Sequence, residues 1–224
     1  CIDNDRFKLG RDENNKPHLN AIDGLSNNQA CDFNVSHQGS YACLAGCVGN
    51  DSTAHQRLGV DVMKIEYGGG KPLQEFFRLM TRNFSSNELA YIKSFNSEQR
   101  QLRAFMRNWC LKESYVKNVG IGITMNLQKL DFNIKTAEIN SHEIVTDTQL
   151  KLNGELLSDF LFEESLIDSE HCVAVSIRNH NLCEGYKPFN FQLIKFEELI
   201  KDATPLSTLD ENYCVEILKK DKKK

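Results

Sequence analysis

One acidic residue lies on the apolar face of the longest helix that the sequence predicts. That helix begins after a capping residue at Asn96 or Ser97 and ends at Gly120. Positions 102, 106, 109, 113 and 116 share one helical face, and Glu113 is the only charged residue among them. Burying a carboxylate costs free energy unless a positive group pairs with it. Two partners are open: Lys117, in the favourable order for a helical ion pair, or a divalent cation.

A second acidic residue favours the cation. Asp61 lies in the strand predicted over 58–63, where the flanking valines point to the opposite face. A strand aspartate and a helix glutamate are hard oxygen donors, which suit Mg²⁺ better than zinc. Because Mg²⁺ usually completes its shell with water and phosphate, the pair predicts a phosphate-bearing substrate. The simpler alternative is a structural Asp61 and a Glu113–Lys117 surface pair, and spacing alone favours that alternative.

A histidine beside a glycine-containing turn is the third feature. The run from Ser36 through His37 to Gly39 can offer an imidazolium and backbone N–H groups to a phosphate. The commoner alternative is a turn histidine that makes one local hydrogen bond. Arg11 and Lys16 could add a basic rim for further phosphates, and the alternative for both is a solvated loop.

The hydrophobic pattern predicts the elements that position these residues. Segments 33–37 and 41–45 alternate around Gly39 and predict a β-hairpin. Pro72 opens a helix, and the capping box Ser85–Glu88 opens a second helix that ends near Phe95. A loop is expected over 48–57, a short helix over 196–201, and β-like segments over 127–134, 149–152, 172–177 and 189–196. This mixture, with the helices in the middle of the chain, predicts the α+β class.

Charge and hydropathy exclude two classes of function. The formal net charge of the 224 residues is -4, but Lys219 to Lys224 hold five Lys and one Asp. The remainder therefore has 22 basic and 30 acidic residues, which argues against a protein that binds nucleic acid through a basic face. No apolar run approaches the roughly 20 residues that a membrane helix needs, so no membrane partner is expected.

The eight cysteines predict free thiols rather than a disulfide framework. They are scattered over a chain too long to need cross-links, and no second Cys or His pair joins Cys43 and Cys47 at zinc spacing. Free thiols imply a reducing compartment, so we expect a cytosolic protein. The chain begins at Cys1 without an initiator Met, which we interpret as a fragment or an incomplete gene product.

Three ordered motifs carry a family resemblance. They are 33–37 (Phe-Asn-Val-Ser-His), 59–61 (Gly-Val-Asp) and 109–117 (Trp-Cys-Leu-Lys-Glu-Ser-Tyr-Val-Lys). Together they resemble the signature of the Sfp-type 4'-phosphopantetheinyl transferases, most closely the animal type. The similarity continues through 75–77, 107–109, 163–165 and 173–175, and it spans about 6–204.

The resemblance implies a reaction and roles for site residues. Family members use Mg²⁺ to transfer the phosphopantetheine arm of coenzyme A to a serine of an apo acyl carrier protein or carrier domain, and release adenosine 3',5'-bisphosphate. Asp61 matches a metal ligand, and Glu113 matches a metal ligand and candidate base. Further matches are His37 and Arg11 at phosphate-contacting positions, Lys16 in the coenzyme-binding loop and Lys117 near the pyrophosphate. Ser36 is expected to bind the coenzyme as well, and Glu113, Lys117 and His37 are expected to act in catalysis.

The resemblance also implies a domain organisation. Family members have two pseudo-symmetric α/β halves, so we expect 1–57 to be the end of a largely missing first half with its linker. The second half, with the metal site, would be 58–213, and 214–224 a disordered basic tail. Two different halves on one chain favour a monomer.

One residue departs from the bacterial pattern, and two other functions stay open. Met63 stands where bacterial members have an acid, as in the animal type, and its thioether is a poor Mg²⁺ ligand, so we expect water there. The alternatives are a non-catalytic or truncated carrier-binding paralogue and another Mg²⁺-dependent phosphoryl enzyme, such as a nucleotide hydrolase.

Overall fold

The computed structural model describes most of the chain in two compact units. The described residues are 8–13, 16–19, 30–49, 57–122, 125–178, 187, 188, 190–204, 208, 212, 213 and 215. The first unit is Cys1–Asn190 and contains all the predicted site residues, and the second is Phe191–Lys224. Only Val215 of the predicted basic tail over 214–224 lies within the described residues.

The first unit combines strands and helices, which confirms the α+β class. Its strands are β1 (Leu9–Arg11), β2 (Pro17–Leu19), β3 (Ala30–Gln38), β4 (Tyr41–Gly49), β5 (Arg57–Lys64), β6 (Leu130–Asn133), β7 (Gln149–Leu152), β8 (Glu155–Leu156), β9 (Phe160–Leu166) and β10 (His171–Arg178). Its α-helices are α1 (Leu73–Met80), α2 (Ser86–Lys93) and α3 (Glu98–Val119). A fourth helix, α4 (Phe196–Leu199), lies in the second unit.

Within the residues that the structure describes, the strands form four antiparallel sets. One sheet has the order β5–β10–β9, another has the order β6–β7–β8, and β1–β2 and β3–β4 are two-stranded. The predicted hairpin is confirmed: β3 and β4 pair from Ala30↔Gly49 to Gln38↔Tyr41. Gly39 in its turn has φ 59°, a conformation that glycine adopts without the steric cost of a Cβ.

The helix boundaries follow their capping signals. Ser85 and Glu88 form the predicted capping box at the start of α2. The side chain of Ser97 accepts a hydrogen bond from the N–H of Arg100 at the start of α3. At the other end Gly120 is left-handed, with φ 77°. These local signals define the ends of α3, so the predicted helix between Ser97 and Gly120 is confirmed.

The buried surface of α3 is wider than the predicted apolar stripe. From Ala104 onward the helix is buried on several sides against the β5–β10–β9 sheet and its neighbours, because it lies at the centre of the core. Trp109, Glu113, Lys117 and Val119 are the less buried positions of that half. Met106 and Val116 of the predicted row are buried as expected, whereas Trp109 and Glu113 border a partly open region.

One strand was missed, and two other predictions need correction. The acidic pair Glu163–Glu164 interrupts the apolar pattern of β9, so this strand was not predicted, although Glu164 is buried against Arg107. The strand expected over 189–196 is wrong for its described part: residues 190–195 form no strand and are mostly exposed. An apolar run without a pairing strand does not make a sheet. The loop expected over 48–57 overlaps the end of β4 and the start of β5.

The structure also describes several of the cysteines and the helices that were considered as membrane spans. Cys43 and Cys172, which the sequence places in strands, are buried free thiols in β4 and β10. None of the helices in the described ranges combines the length and the apolar character that crossing a bilayer requires.

A glycine sets the distance between β5 and α3. A Cβ at Gly59 would overlap the carbonyl oxygen of Ser114 and lie 2.5 Å from the backbone nitrogen of Asn118. The helix backbone therefore rests directly on the strand, which only a residue without a side chain permits. This contact brings the turn of α3 between Glu113 and Lys117 next to Asp61.

We expect Gly59→Ala to destabilise the protein. Because backbone atoms cannot yield to a new methyl group, the cost should be about 1–3 kcal/mol or more, measured by urea unfolding. Gly68→Ala is the matched control, since no atom lies within 4 Å of a Cβ there. Equal unfolding free energies for the two variants would contradict the close approach of α3 to β5.

Candidate active site

The carboxylate of Asp61 is held by two side chains from distant parts of the chain. Asp61 lies on β5 and is 4% exposed. Its Oδ1 accepts hydrogen bonds from Lys117 Nζ at 2.6 Å and from Ser36 Oγ at 2.8 Å. The ammonium of Lys117 also donates to Ser36 Oγ at 2.7 Å, which closes a triangle. Strand β3, strand β5 and helix α3 therefore each contribute one residue to a single polar cluster.

The second oxygen of Asp61 has no partner. In the described part of the protein, Oδ2 is buried and makes no hydrogen bond. Burial raises the pKa of the Asp61 carboxyl, and the charge of Lys117 and the hydrogen bonds from Lys117 and Ser36 oppose this rise. An unpartnered buried carboxylate oxygen is costly, and a cation bound there would remove that cost.

Glu113 faces the same cavity as Asp61. This cavity has a volume of about 350 Å³, and its walls include Asp61, Met63, Trp109, Glu113 and Lys117. Burial, and next the negative charge of Asp61, raise the pKa of Glu113, while Lys117 lowers it. The two carboxylates therefore lie close enough to repel each other. The structure brings together the two acids that the sequence paired.

The partner of Lys117 differs from the surface pair that the sequence left open. Its ammonium bonds Asp61 and Ser36, and no ion pair between Lys117 and Glu113 is present in the structure. The side chain of Lys117 is 28% exposed, whereas that of Asp61 is 6% exposed. The interpretation of Glu113 and Lys117 as an isolated surface pair is therefore wrong.

The other predicted site residues, His37, Arg11 and Lys16, differ in whether they line the cavity that contains Asp61. His37 is exposed on β3 and lines the 350 Å³ cavity beside Ser36. Arg11 is exposed on β1, and it lines neither this cavity nor the adjacent one. Lys16 is buried, and its Nζ donates hydrogen bonds to Asp32 Oδ2 at 2.6 Å and to the carbonyl oxygen of Leu58 at 3.0 Å. The solvated-loop alternative is therefore wrong for Lys16, and its proposed contact with coenzyme stays a prediction.

A second cavity adjoins the first. Its volume is about 410 Å³, and it shares Trp109, Glu113 and Lys117 with the first cavity. Its other walls are partly apolar and include Val116 and Met125. Glu113 and Lys117 therefore form the boundary between two cavities, where they can contact groups bound in either one.

A row of polar side chains on β3 was missed at the sequence level. Strand β5 is at the edge of its sheet, and alternate residues of β3 accept hydrogen bonds from its free N–H groups. The pairs are Leu58 N to Asp32 Oδ2 (2.8 Å), Val60 N to Asn34 Oδ1 (2.9 Å), Val62 N to Ser36 Oγ (3.4 Å) and Lys64 N to Gln38 Oε1 (2.7 Å). We call these four residues the β3 side-chain ladder. The alternation of acceptors at 32, 34, 36 and 38 was the available signal.

A buried ion pair beside Glu113 was also missed. Lys112 bonds Glu88 at 2.8 Å, both side chains are 0% exposed, and its Nζ donates to the carbonyl oxygens of Leu127 and Leu130 at 2.8 Å each. Burial raises the pKa of Glu88 and lowers that of Lys112. Since Lys112 anchors one side of α3, its neighbour Glu113 is directed to the other side. The capping box signalled Glu88, but nothing local signalled its partner.

The sequence matches a family profile over this region. The profile of the 4'-phosphopantetheinyl transferase superfamily covers residues 57–176, and a profile described as 4'-phosphopantetheinyl transferase, N-terminal, covers residues 1–49. The chain belongs to the 4'-phosphopantetheinyl transferase superfamily. It is therefore an enzyme of the phosphopantetheinyl transferase class, and the resemblance inferred from the three motifs is confirmed.

Similar proteins include animal and protist transferases. The L-aminoadipate-semialdehyde dehydrogenase-phosphopantetheinyl transferase of Rattus norvegicus is 35% identical over 219 residues, which are 93% of this chain and 69% of the relative. The Homo sapiens protein of that name is 34% identical over 217 residues, 92% of this chain and 68% of the relative. A phosphopantetheinyl transferase of Thraustochytrium sp. is 33% identical over 184 residues, 80% of this chain and 58% of the relative.

Part of the chain is also similar to a solved structure. The holo-ACP-synthase from Plasmodium yoelii is 12% identical, with a TM-score of 0.41, and the match covers 55% of this chain and 92% of that chain.

We expect Asn34→Ala to weaken the attachment of β3 to β5. The buried N–H of Val60 would lose its acceptor, which costs about 1–3 kcal/mol, measured by urea unfolding. Val35→Ala, on the exposed face of the same strand, is the control and should change stability by about 0.5 kcal/mol or less. If both variants unfold alike, the β3 side-chain ladder does not hold the strand.

Proposed function

We propose that this protein transfers the 4'-phosphopantetheine arm of coenzyme A to a serine of an apo carrier protein in a Mg²⁺-dependent reaction. The carrier would be an acyl carrier protein or a carrier domain, and adenosine 3',5'-bisphosphate would be released. The observation that carries this proposal is the unpartnered Oδ2 of Asp61, buried in a cavity that also presents Glu113. We further propose a monomeric protein that acts in the cytosol and has no nucleic-acid or membrane partner.

The donor set fits Mg²⁺. Both acids offer hard oxygens, and no group of three or more His, Cys, Asp or Glu side chains suited to a metal occurs among the described residues. Zinc sites commonly need three or four protein ligands, whereas Mg²⁺ binds through one or two carboxylates. Asp61 and Glu113 would hold the ion, which when bound neutralises the charge that develops on the pyrophosphate oxygens.

Glu113 is suited to accept the serine proton. The serine oxygen would form a bond to the β-phosphorus while the bond from that phosphorus to the bridging oxygen of the leaving adenosine bisphosphate breaks. The proton of the serine hydroxyl would pass to the Glu113 carboxylate, directly or through water. Glu113 borders both cavities, so its carboxylate is presented to groups bound in either one.

Lys117 and His37 would stabilise the negative charge that the reaction moves. Lys117 bounds both cavities, and His37 is exposed at the rim of the smaller one. An ammonium and an imidazole beside the pyrophosphate lower the barrier because they stabilise the charge that develops on its oxygens. Before the pyrophosphate binds, Ser36 holds the ammonium through the hydrogen bond at 2.7 Å.

The direct test combines the protein with coenzyme A, Mg²⁺ and an apo carrier domain, followed by intact mass spectrometry. A gain of one phosphopantetheine on the carrier supports the proposal. Loss of phosphate from coenzyme A without a carrier adduct would favour a phosphoryl hydrolase. Carrier binding without transfer in any divalent metal would favour a non-catalytic paralogue.

We expect Glu113→Gln to fold normally and to lose transfer activity. Replacing the carboxylate removes the proton acceptor and one metal ligand, so kcat should fall roughly 10²–10³-fold. Glu98→Gln is the matched control on the same helix, because Glu98 is exposed in the first turn of α3. Activity of Glu113→Gln within a few-fold of the control would remove Glu113 from the mechanism.

We expect Met63→Asp to be tolerated and to change the metal preference. Met63 lines the 350 Å³ cavity on the same side of β5 as Asp61, so an aspartate there would add a third oxygen donor. The measurement is the ratio of kcat/KM with Mg²⁺ to that with Mn²⁺, with Met63→Leu as the control. Since Met63 also packs against the core, loss of folding in the variant would contradict a position facing the metal.

A further inference from the structure

The ammonium of Lys117 occupies one side of the proposed metal site. It lies 2.6 Å from Asp61 Oδ1 and is held by Ser36 Oγ at 2.7 Å. Asp61 therefore has one oxygen bound to a protein cation and the other oxygen without a partner. The metal that the proposed function requires would have to bind a carboxylate that already has a positive neighbour.

Two cations at one carboxylate repel each other. Lys117 neutralises Asp61, so the attraction of this carboxylate for a metal ion is weaker than that of an unpaired one. The repulsion between Lys117 and a metal ion at Asp61 is stronger than it would be at an exposed carboxylate, because Asp61 is buried and solvent screens the charges poorly. Glu113 alone is a weak anchor for Mg²⁺, which gives up water reluctantly.

The ammonium of Lys117 can contact groups bound in either cavity. Its side chain is 28% exposed and borders both cavities, whereas Asp61 is fixed on a buried strand. A lysine has a flexible four-carbon stem and a compact charge, so a pyrophosphate bound in either cavity can attract the ammonium away from Asp61. The same pyrophosphate supplies oxygen ligands to the metal.

We propose that Lys117 is a resident counter-cation that competes with the metal for Asp61 until the pyrophosphate of the co-substrate draws it away. This inference rests on the proposed function. Metal and coenzyme A then bind cooperatively, and each strengthens the other by the same factor. In the absence of coenzyme A, the site binds divalent metal weakly, and Lys117 keeps the buried carboxylate paired.

The test measures Mn²⁺ binding without any transfer reaction. The free Mn²⁺ signal in electron paramagnetic resonance gives the affinity at pH 8, with and without coenzyme A. Trp109 is the only tryptophan of the chain and lines both cavities, so its emission reports whether binding occurs at this site. Variants Lys117→Met and Lys117→Arg are compared with Lys93→Met, which removes a charge from an exposed position at the end of α2.

Lys117→Met should bind Mn²⁺ alone about tenfold tighter than the unmodified protein, within the usual range of coupling between sites. Lys117→Arg and Lys93→Met should stay within about twofold of it. Coenzyme A should raise the Mn²⁺ affinity of Lys117→Met less than it raises that of the unmodified protein. The two increases should differ by the same factor by which Lys117→Met tightens Mn²⁺ binding in the absence of coenzyme A. Mn²⁺ affinity in Lys117→Met that is unchanged or weaker would overturn the proposal.

Three further results bear on the proposal. If Lys117→Met does not fold, as judged by circular dichroism, Lys117→Gln removes the charge but keeps a hydrogen-bond donor for Asp61 and should still tighten Mn²⁺ binding; unchanged or weaker binding there would overturn the proposal. A protein that shows the expected metal affinities but does not modify a carrier would contradict the proposed function and leave the competition at Asp61 intact. If the unmodified protein modifies a carrier but Lys117→Met does not bind Mn²⁺ more tightly, the proposed function is supported and the competition at Asp61 is contradicted.

Discussion

The buried carboxylate of Asp61 depends on the positive charge of Lys117, and the arrangement of the first unit follows from that need. A carboxylate that is 4% exposed would be costly without a counter-charge. The ammonium comes from the last turn of α3, and the hydroxyl that orients it comes from β3. The ion pair therefore requires three elements, far apart in sequence, to meet at one point.

Two contacts hold these elements in register. Gly59 allows the backbone of α3 to lie on β5, which brings the turn that carries Glu113 and Lys117 next to Asp61. The β3 side-chain ladder satisfies the free edge of β5 and brings Ser36 beside Asp61. Since edge N–H groups need acceptors, the polar side chains of β3 substitute for the strand that would otherwise pair there.

Buried ion pairs anchor the opposite side of α3. Lys112 bonds Glu88, and Arg107 bonds Glu164 at 2.6 and 3.0 Å, in both cases away from the cavity. Removing one partner of such a pair leaves an uncompensated buried charge, so both pairs disfavour rotation of the helix about its axis. The cavity-facing row can then hold partly exposed charged groups without loss of order, which is what a site for a phosphate-bearing substrate needs.

The sequence by itself determined several local elements and made the two acids candidates for one site. Caps at Ser97 and Gly120, the capping box of α2 and the alternation around Gly39 are short-range signals, because each depends on hydrogen bonds and backbone conformations within a few residues. Residue types and predicted elements made Asp61 and Glu113 candidate metal ligands, spacing alone favoured the non-metal alternative, and the resemblance carried by the three motifs favoured the pair. Only the tertiary structure decided that Lys117 bonds Asp61 rather than Glu113, that Lys16 is buried on Asp32, and that β9 is a strand despite its acidic pair. Each of these depends on a charge or a backbone partner supplied by a distant segment, and no local pattern records which segments meet.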